Sequence, residues 1–150
     1  MRRSLFTIAL LAFLPVPAQA ICLLGSFTAT GLNFGLYNPG ALAPAQSQGT
    51  ISIGCTLSVL TEATIALSKG KGSYLQRTMT MGSNILRYNL YLDSVHTMVW
   101  GDGTNGTVTE NFTSVVGLGT VNFPVYGLVD AGQYPAPGAY GDTIVVTFTF

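Results

Sequence analysis

Among the 150 residues of this chain, one histidine and six acidic residues are available for acid–base chemistry. His96 would have to be the base of any Ser-His-Asp triad. It lies in Ser94-Val95-His96-Thr97, a stretch that predicts a turn after a strand, so we interpret it as a partly exposed structural residue. The acidic residues are scattered and form no recognisable pair for glycoside hydrolysis. We therefore predict no catalytic residues and no enzymatic activity.

The segment Asp102-Gly103-Thr104-Asn105-Gly106 has a superficial likeness to a calcium-binding loop. Such a loop ends in an acidic residue at its twelfth position, where this chain has Thr113. The segment instead contains the turn dipeptides Asp-Gly and Asn-Gly. We predict a turn here, with no metal ligand and no cofactor.

Cys22 and Cys55 are the only cysteines. In an oxidising compartment such a pair is most simply a disulfide, and free thiols or a two-ligand metal site are the alternatives. On the chain-entropy model, closing this loop would contribute about 3 to 4 kcal/mol to stability.

The N-terminus predicts export. Arg2 and Arg3 precede a short apolar run, and Ala18-Gln19-Ala20 matches a signal-peptidase site, so we interpret residues 1–20 as a signal peptide cleaved between Ala20 and Ile21. An uncleaved membrane anchor is the alternative, but the run is shorter than the roughly 20 residues that span a bilayer. Residues 21–150 then form one exported domain without a membrane span. It has four basic and six acidic residues, a formal charge of −2, which disfavours nucleic acid as a partner.

Alternating apolar residues predict the elements that position these side chains. At the C-terminus Ile144, Val146, Phe148 and Phe150 share one face of a predicted strand. Similar alternation recurs in residues 51–59, 63–67 and 86–92, with turn residues between, and further β-prone runs cover 112–116 and 121–129. We therefore predict an all-β fold, a single antiparallel β-sandwich. Residues 38–46 are predicted to be a surface loop.

An ordered series of motifs covers nearly the whole exported part. It comprises Phe34-Gly35-Leu36-Tyr37, Ile53-Gly54-Cys55, Ile65-Ala66-Leu67-Ser68-Lys69-Gly70, Arg77-Thr78-Met79, Leu86-Arg87-Tyr88-Asn89-Leu90-Tyr91-Leu92-Asp93, Trp100-Gly101-Asp102-Gly103, Val125-Tyr126-Gly127 and residues 138–150. Together these motifs resemble the spore coat protein U family. The resemblance implies an incomplete immunoglobulin-like β-sandwich, made by secreted bacterial subunits of archaic chaperone–usher pili that act in surface attachment and biofilm formation. A role in a spore or cyst coat is the alternative.

The resemblance also implies partners: a periplasmic chaperone, an outer-membrane usher and other pilus subunits. The chain would pass through the periplasm to the cell surface. The groove beside the last strand, with Ile144, Val146, Phe148 and Phe150, would hold first the chaperone and then a donor strand from a neighbouring subunit. Since Cys22 is the second residue after the predicted cleavage, the exported chain is expected to lack a donor segment before it and to lie at a fibre end.

We interpret the motif residues Trp100, Gly101, Asp102, Gly103, Tyr126 and Gly127 as structural, serving the core and tight turns. A carbohydrate-binding domain is an alternative that could recruit Tyr134, Tyr140 and Asp142. A secreted hydrolase would depend on His96.

Overall fold

The structure is a computed structural model that describes residues 22–58, 62–113 and 119–149, with side chains over 26–54, 62–112 and 119–149. The predicted signal peptide, its cleavage site at Ala20 and Ile21, and Phe150 lie outside the described residues. Within the described part, no helix is long and apolar enough to cross a membrane.

The described chain consists of antiparallel strands joined by turns and loops. In chain order they are β1 (Cys22–Thr30), β2 (Ala45–Ser58), β3 (Glu62–Leu67), β4 (Lys71–Gly72), β5 (Arg77–Met81), β6 (Asn84–Tyr91), β7 (Glu110–Thr113), β8 (Gly119–Val129) and β9 (Val146–Thr149).

Two sheets pack against each other. One has the order β1-β2-β8-β6-β5-β4 and the other the order β7-β3-β9. The chain therefore leaves the larger sheet after β2, forms the centre of the smaller sheet with β3, and returns with β4. This arrangement confirms the predicted all-β antiparallel sandwich.

The core lies between the sheets and follows the predicted alternation. In β3, Ala63, Ile65 and Leu67 are buried, and their neighbours in sequence are not. The larger sheet contributes alternate residues of β2, β6 and β8, namely Ile51, Ile53, Leu86, Tyr88, Leu90, Phe123, Val125 and Val129. Since successive side chains of a strand point to opposite faces, each strand covers the core with one face.

The strand boundaries differ from the sequence prediction at several places. The last strand begins at Val146, not at Ile144, because Gly141 first pairs with Thr80 of β5 and the chain then crosses to the other sheet. Strand β2 begins at Ala45, inside the predicted 38–46 loop, where it pairs with Val129. The run predicted over 112–116 begins at Glu110 in the structure, and its end lies outside the described residues.

Candidate strand-docking groove

A cavity of about 320 Å³ opens between the two sheets next to the last strand. Its floor contains Ile51 and Val125 of the larger sheet, and its walls contain Leu67, Ile144 and Val146. Residues 29–32 and Phe34, where the chain leaves β1, also line it. We call this cavity and the exposed edge of β9 the groove.

Strand β9 forms one wall of the groove and is an edge strand of the smaller sheet in the described part of the chain. Within the described residues β3 is its partner, with Val146 opposite Leu67 and Phe148 opposite Ile65. Ile144, Val146 and Phe148 pack against the core but remain half-buried. The outer edge of β9 therefore presents backbone N–H and C=O groups beside apolar side chains that are incompletely covered.

An edge strand of the larger sheet, β1, contacts β9. Phe27 of β1 stacks on Phe148 of β9, with ring centroids 4.2 Å apart and planes 23° from parallel. Phe27 keeps 38% of its side chain exposed. The gap between the sheets thus lies between the edge strands β1 and β9.

Asp142 is the acidic residue of the groove lining. Its carboxylate accepts hydrogen bonds from the Tyr88 hydroxyl at 2.7 Å and from the backbone N–H groups of Lys71 at 3.1 Å and Thr143 at 2.8 Å. Burial, and then the bond to Asp142, raise the pKa of the Tyr88 hydroxyl. Gly70, with a positive φ of 56°, has no side chain to collide with this carboxylate. These contacts fasten the segment before β9 to the larger sheet.

A charged side chain is fully enclosed beside the groove. Arg77, with no exposed surface, donates hydrogen bonds to the carbonyl oxygens of Ser68 and Trp100 and to Asn89 Oδ1, with distances between 2.6 and 3.1 Å. None of these acceptors is a carboxylate, and burial lowers the pKa of the guanidinium. The sequence does not predict this role, since arginine is rarely buried, and the motif Arg77-Thr78-Met79 points only to the family.

Trp100 joins the two sheets. Its indole Nε1–H donates to the Ile65 carbonyl of β3 at 3.0 Å, and its backbone N–H donates to the Leu90 carbonyl of β6 at 2.9 Å. The indole is fully buried. Removing it would leave a large void between the sheets and take one hydrogen bond from the Ile65 carbonyl.

The rest of the Trp-Gly-Asp-Gly motif shapes the following turn. Asp102 accepts hydrogen bonds from the Thr104 hydroxyl and backbone and from the Tyr74 hydroxyl, and these bonds lower its pKa. A side chain at Gly101 would collide with Thr107, and Gly103 has a positive φ of 83°.

Tyr126 and Gly127 lie side by side on β8. Tyr126 is partly buried and pairs with Gln48 on one side and Tyr91 on the other. Any side chain at Gly127 would collide with the side chains of Leu32 and Phe34, which line the groove. Gly127 thereby allows the β1–β2 connection to lie close against the sheet.

The two cysteines occupy neighbouring strands. In the β1–β2 pairing, Cys22 is opposite Ser58 and Cys55 is opposite Leu24. Their side chains lie outside the described side chains, so the disulfide stays a prediction.

Of the residues considered for catalysis and sugar binding, Tyr140 and Asp142 line the groove, whereas His96 and Tyr134 do not. His96 lies in a turn with a positive φ of 59°, its ring edge-on to Tyr91. The Tyr140 hydroxyl donates to the Ala136 carbonyl, Tyr134 is 82% exposed, and Asp142 is bonded to Tyr88. The described residues contain no group of three His, Cys, Asp or Glu that could hold a metal ion.

Comparison with known proteins adds sequence and structural relatives. The family model for the Spore Coat Protein U domain matches residues 9–147. Protein U of Myxococcus xanthus is 37% identical in an alignment 145 residues long, and the match covers 86% of this chain and 77% of that protein.

A solved structure shows a similar fold. It is a chain in the crystal structure of the CsuC-CsuE chaperone–tip adhesion subunit pre-assembly complex from archaic chaperone-usher Csu pili of Acinetobacter baumannii, with a TM-score of 0.50 and 22% identity. The match covers 83% of this chain and 39% of the other, so this chain spans well under half of that relative.

Proposed function

The chain belongs to the Spore Coat Protein U domain family, and from this membership we propose that it is an exported, non-enzymatic subunit of an archaic chaperone–usher pilus. Its fold resembles a chain of a chaperone–subunit complex from such a pilus. The subunit would be held by a periplasmic chaperone, pass through an outer-membrane usher, and join other subunits at the cell surface, where it would serve attachment and biofilm formation.

The half-buried edge strand β9 carries the proposal. Ile144, Val146 and Phe148 pack on the core, yet β9 has a single partner strand among the described residues. A strand added along this edge would pair with the free backbone groups, and its alternate side chains would enter the groove. Burying four or five apolar side chains would give a gross gain of about 10 kcal/mol. The fold would thus be an incomplete sandwich that a partner completes.

Co-expression with a periplasmic chaperone from the same genome tests this function. Expressed alone, the chain should be degraded or aggregate, because its open edge is a template for unwanted pairing. With the chaperone, it should be recovered as a one-to-one complex that exchanges the chaperone for a strand of another subunit. A stable monomer that is obtained without the chaperone and does not bind it would overturn the proposal.

A second candidate is a coat subunit of a spore or cyst, supported by the family description and the 37% identity to Protein U. The same edge strand would serve assembly in a coat. Immunogold labelling distinguishes the two destinations: gold on surface filaments supports a pilus, whereas gold confined to a coat layer supports the second candidate.

A further inference from the structure

Ser68, between β3 and β4, forms two hydrogen bonds with Val145, the residue just before β9. Its backbone N–H donates to the Val145 carbonyl at 2.9 Å, and its hydroxyl oxygen accepts from the Val145 N–H at 2.9 Å. Val145 itself points outward, with 59% of its side chain exposed. Its neighbours Ile144 and Val146 line the groove. Fixing the backbone of Val145 therefore fixes how these two side chains face the groove.

Arg77 in turn holds Ser68. Its Nε and Nη2 groups both donate to the Ser68 carbonyl oxygen, at 3.1 and 2.9 Å. The other hydrogen bonds of the guanidinium, to Trp100 and Asn89, join it to the larger sheet and the core. A charged donor strengthens bonds to neutral carbonyl groups, and a buried guanidinium cannot easily rearrange.

We propose that Arg77 and Ser68 are positioning residues for the groove, with Arg77 fixing Ser68 and Ser68 fixing Val145 so that Ile144 and Val146 are set to receive a partner strand. This inference rests on the proposed function for its biological meaning. The positioning itself can be measured on whichever form is recovered, the free chain or the chaperone complex, because the Val145 N–H bonds Ser68 and not an added strand.

Ser68→Ala is the sharpest test, since it removes the acceptor for the Val145 N–H and leaves the Ser68 backbone bonds in place. Amide hydrogen exchange of Val145 should become about fivefold to tenfold faster, as expected for the loss of one hydrogen bond. Exchange of Thr147, which pairs with Ala66 of β3, should change less. Ser68→Thr keeps the hydroxyl and should restore protection at Val145.

A matched control separates positioning from general destabilisation. Ser52 likewise makes one side-chain hydrogen bond, here as the donor to Asn122 Oδ1 at 2.7 Å, but it lies in the β2–β8 pair and does not line the groove. Ser52→Ala should leave exchange at Val145 unchanged. In chaperone co-expression, Ser68→Ala should lower the yield of complex, whereas Ser52→Ala and Ser68→Thr should not.

Arg77→Lys extends the test to Arg77 itself, because a lysine keeps the charge but has a single nitrogen in place of the three that bond Ser68, Trp100 and Asn89. It should reproduce the faster exchange at Val145; if it fails to fold, the Ser68 variants still decide. Equal exchange at Val145 in Ser68→Ala and wild type would overturn the inference. A wild-type chain that captures no chaperone would instead overturn the proposed function and leave the exchange result standing.

Discussion

At the scale of single residues, loss of the Trp100 side chain should destabilise the fold strongly. Trp100→Phe removes the hydrogen bond to the Ile65 carbonyl and opens space in a fully enclosed site. We expect a loss of about 2 to 4 kcal/mol in the free energy of unfolding. Urea unfolding measures it, with the chaperone bound if that is the form recovered. Val95→Ala, at a site 74% exposed, should change stability by less than about 0.5 kcal/mol; equal effects of the two variants would contradict the assignment.

Asp93 provides a residue-scale prediction for pH. Desolvation raises the pKa of its carboxyl, but hydrogen bonds from Met98 and Thr97 outweigh this and lower the pKa from 3.8 to about 2. A carboxyl whose pKa is lower in the folded state stabilises the fold above its unfolded pKa and loses that contribution as the pH falls. Asp93→Ala should therefore be less stable than wild type at pH 7, and the difference should shrink between pH 4 and pH 2. Urea midpoints across this range check it; a difference independent of pH would contradict it.

At the scale of elements, the two faces of β9 should respond differently to charge. Phe148 faces the core, opposite the fully buried Ile65, and Thr147 faces outward. Phe148→Asp would place an unpaired charge in an apolar setting and remove the stack on Phe27, at a cost of about 3 kcal/mol or more. Thr147→Asp should be tolerated. Periplasmic yield and protease resistance compare the two variants, and equal tolerance would show that this face of β9 is not part of the core.

At the scale of the whole molecule, the predicted Cys22–Cys55 disulfide would tie the edge strand β1 to β2. Cys55→Ser should lower stability by about 3 to 4 kcal/mol and reduce the exported yield sharply. If the two cysteines act as a pair, the double variant Cys22→Ser/Cys55→Ser should behave like the single one. Mass spectrometry after alkylation gives the direct measurement, and two modifiable thiols in native periplasmic protein would refute the bond.

Local sequence pattern by itself determined the fold class, most strands and the family. Alternation in residues 63–67 and 86–90 identified core-facing positions correctly, because a strand has a period of two residues whatever its partners are. The ordered motifs identified the family, which the match over residues 9–147 confirms. The Asp-Gly and Asn-Gly dipeptides marked the turn after Trp100, where Gly103 and Asn105 have positive φ.

Only the tertiary structure decided how these pieces are combined. Sheet membership depends on pairing between residues far apart in the chain, so alternation could not show that β9 pairs with β3 or that Gly141 first pairs with Thr80. The same holds for Arg77: a charged residue in a strand is expected to face solvent, and carbonyl groups of Ser68 and Trp100 make its burial possible. These acceptors come together only when the sheets pack. Since hydrogen-bond partners distant in sequence leave no local pattern, the burial of Arg77 could not be predicted from the sequence.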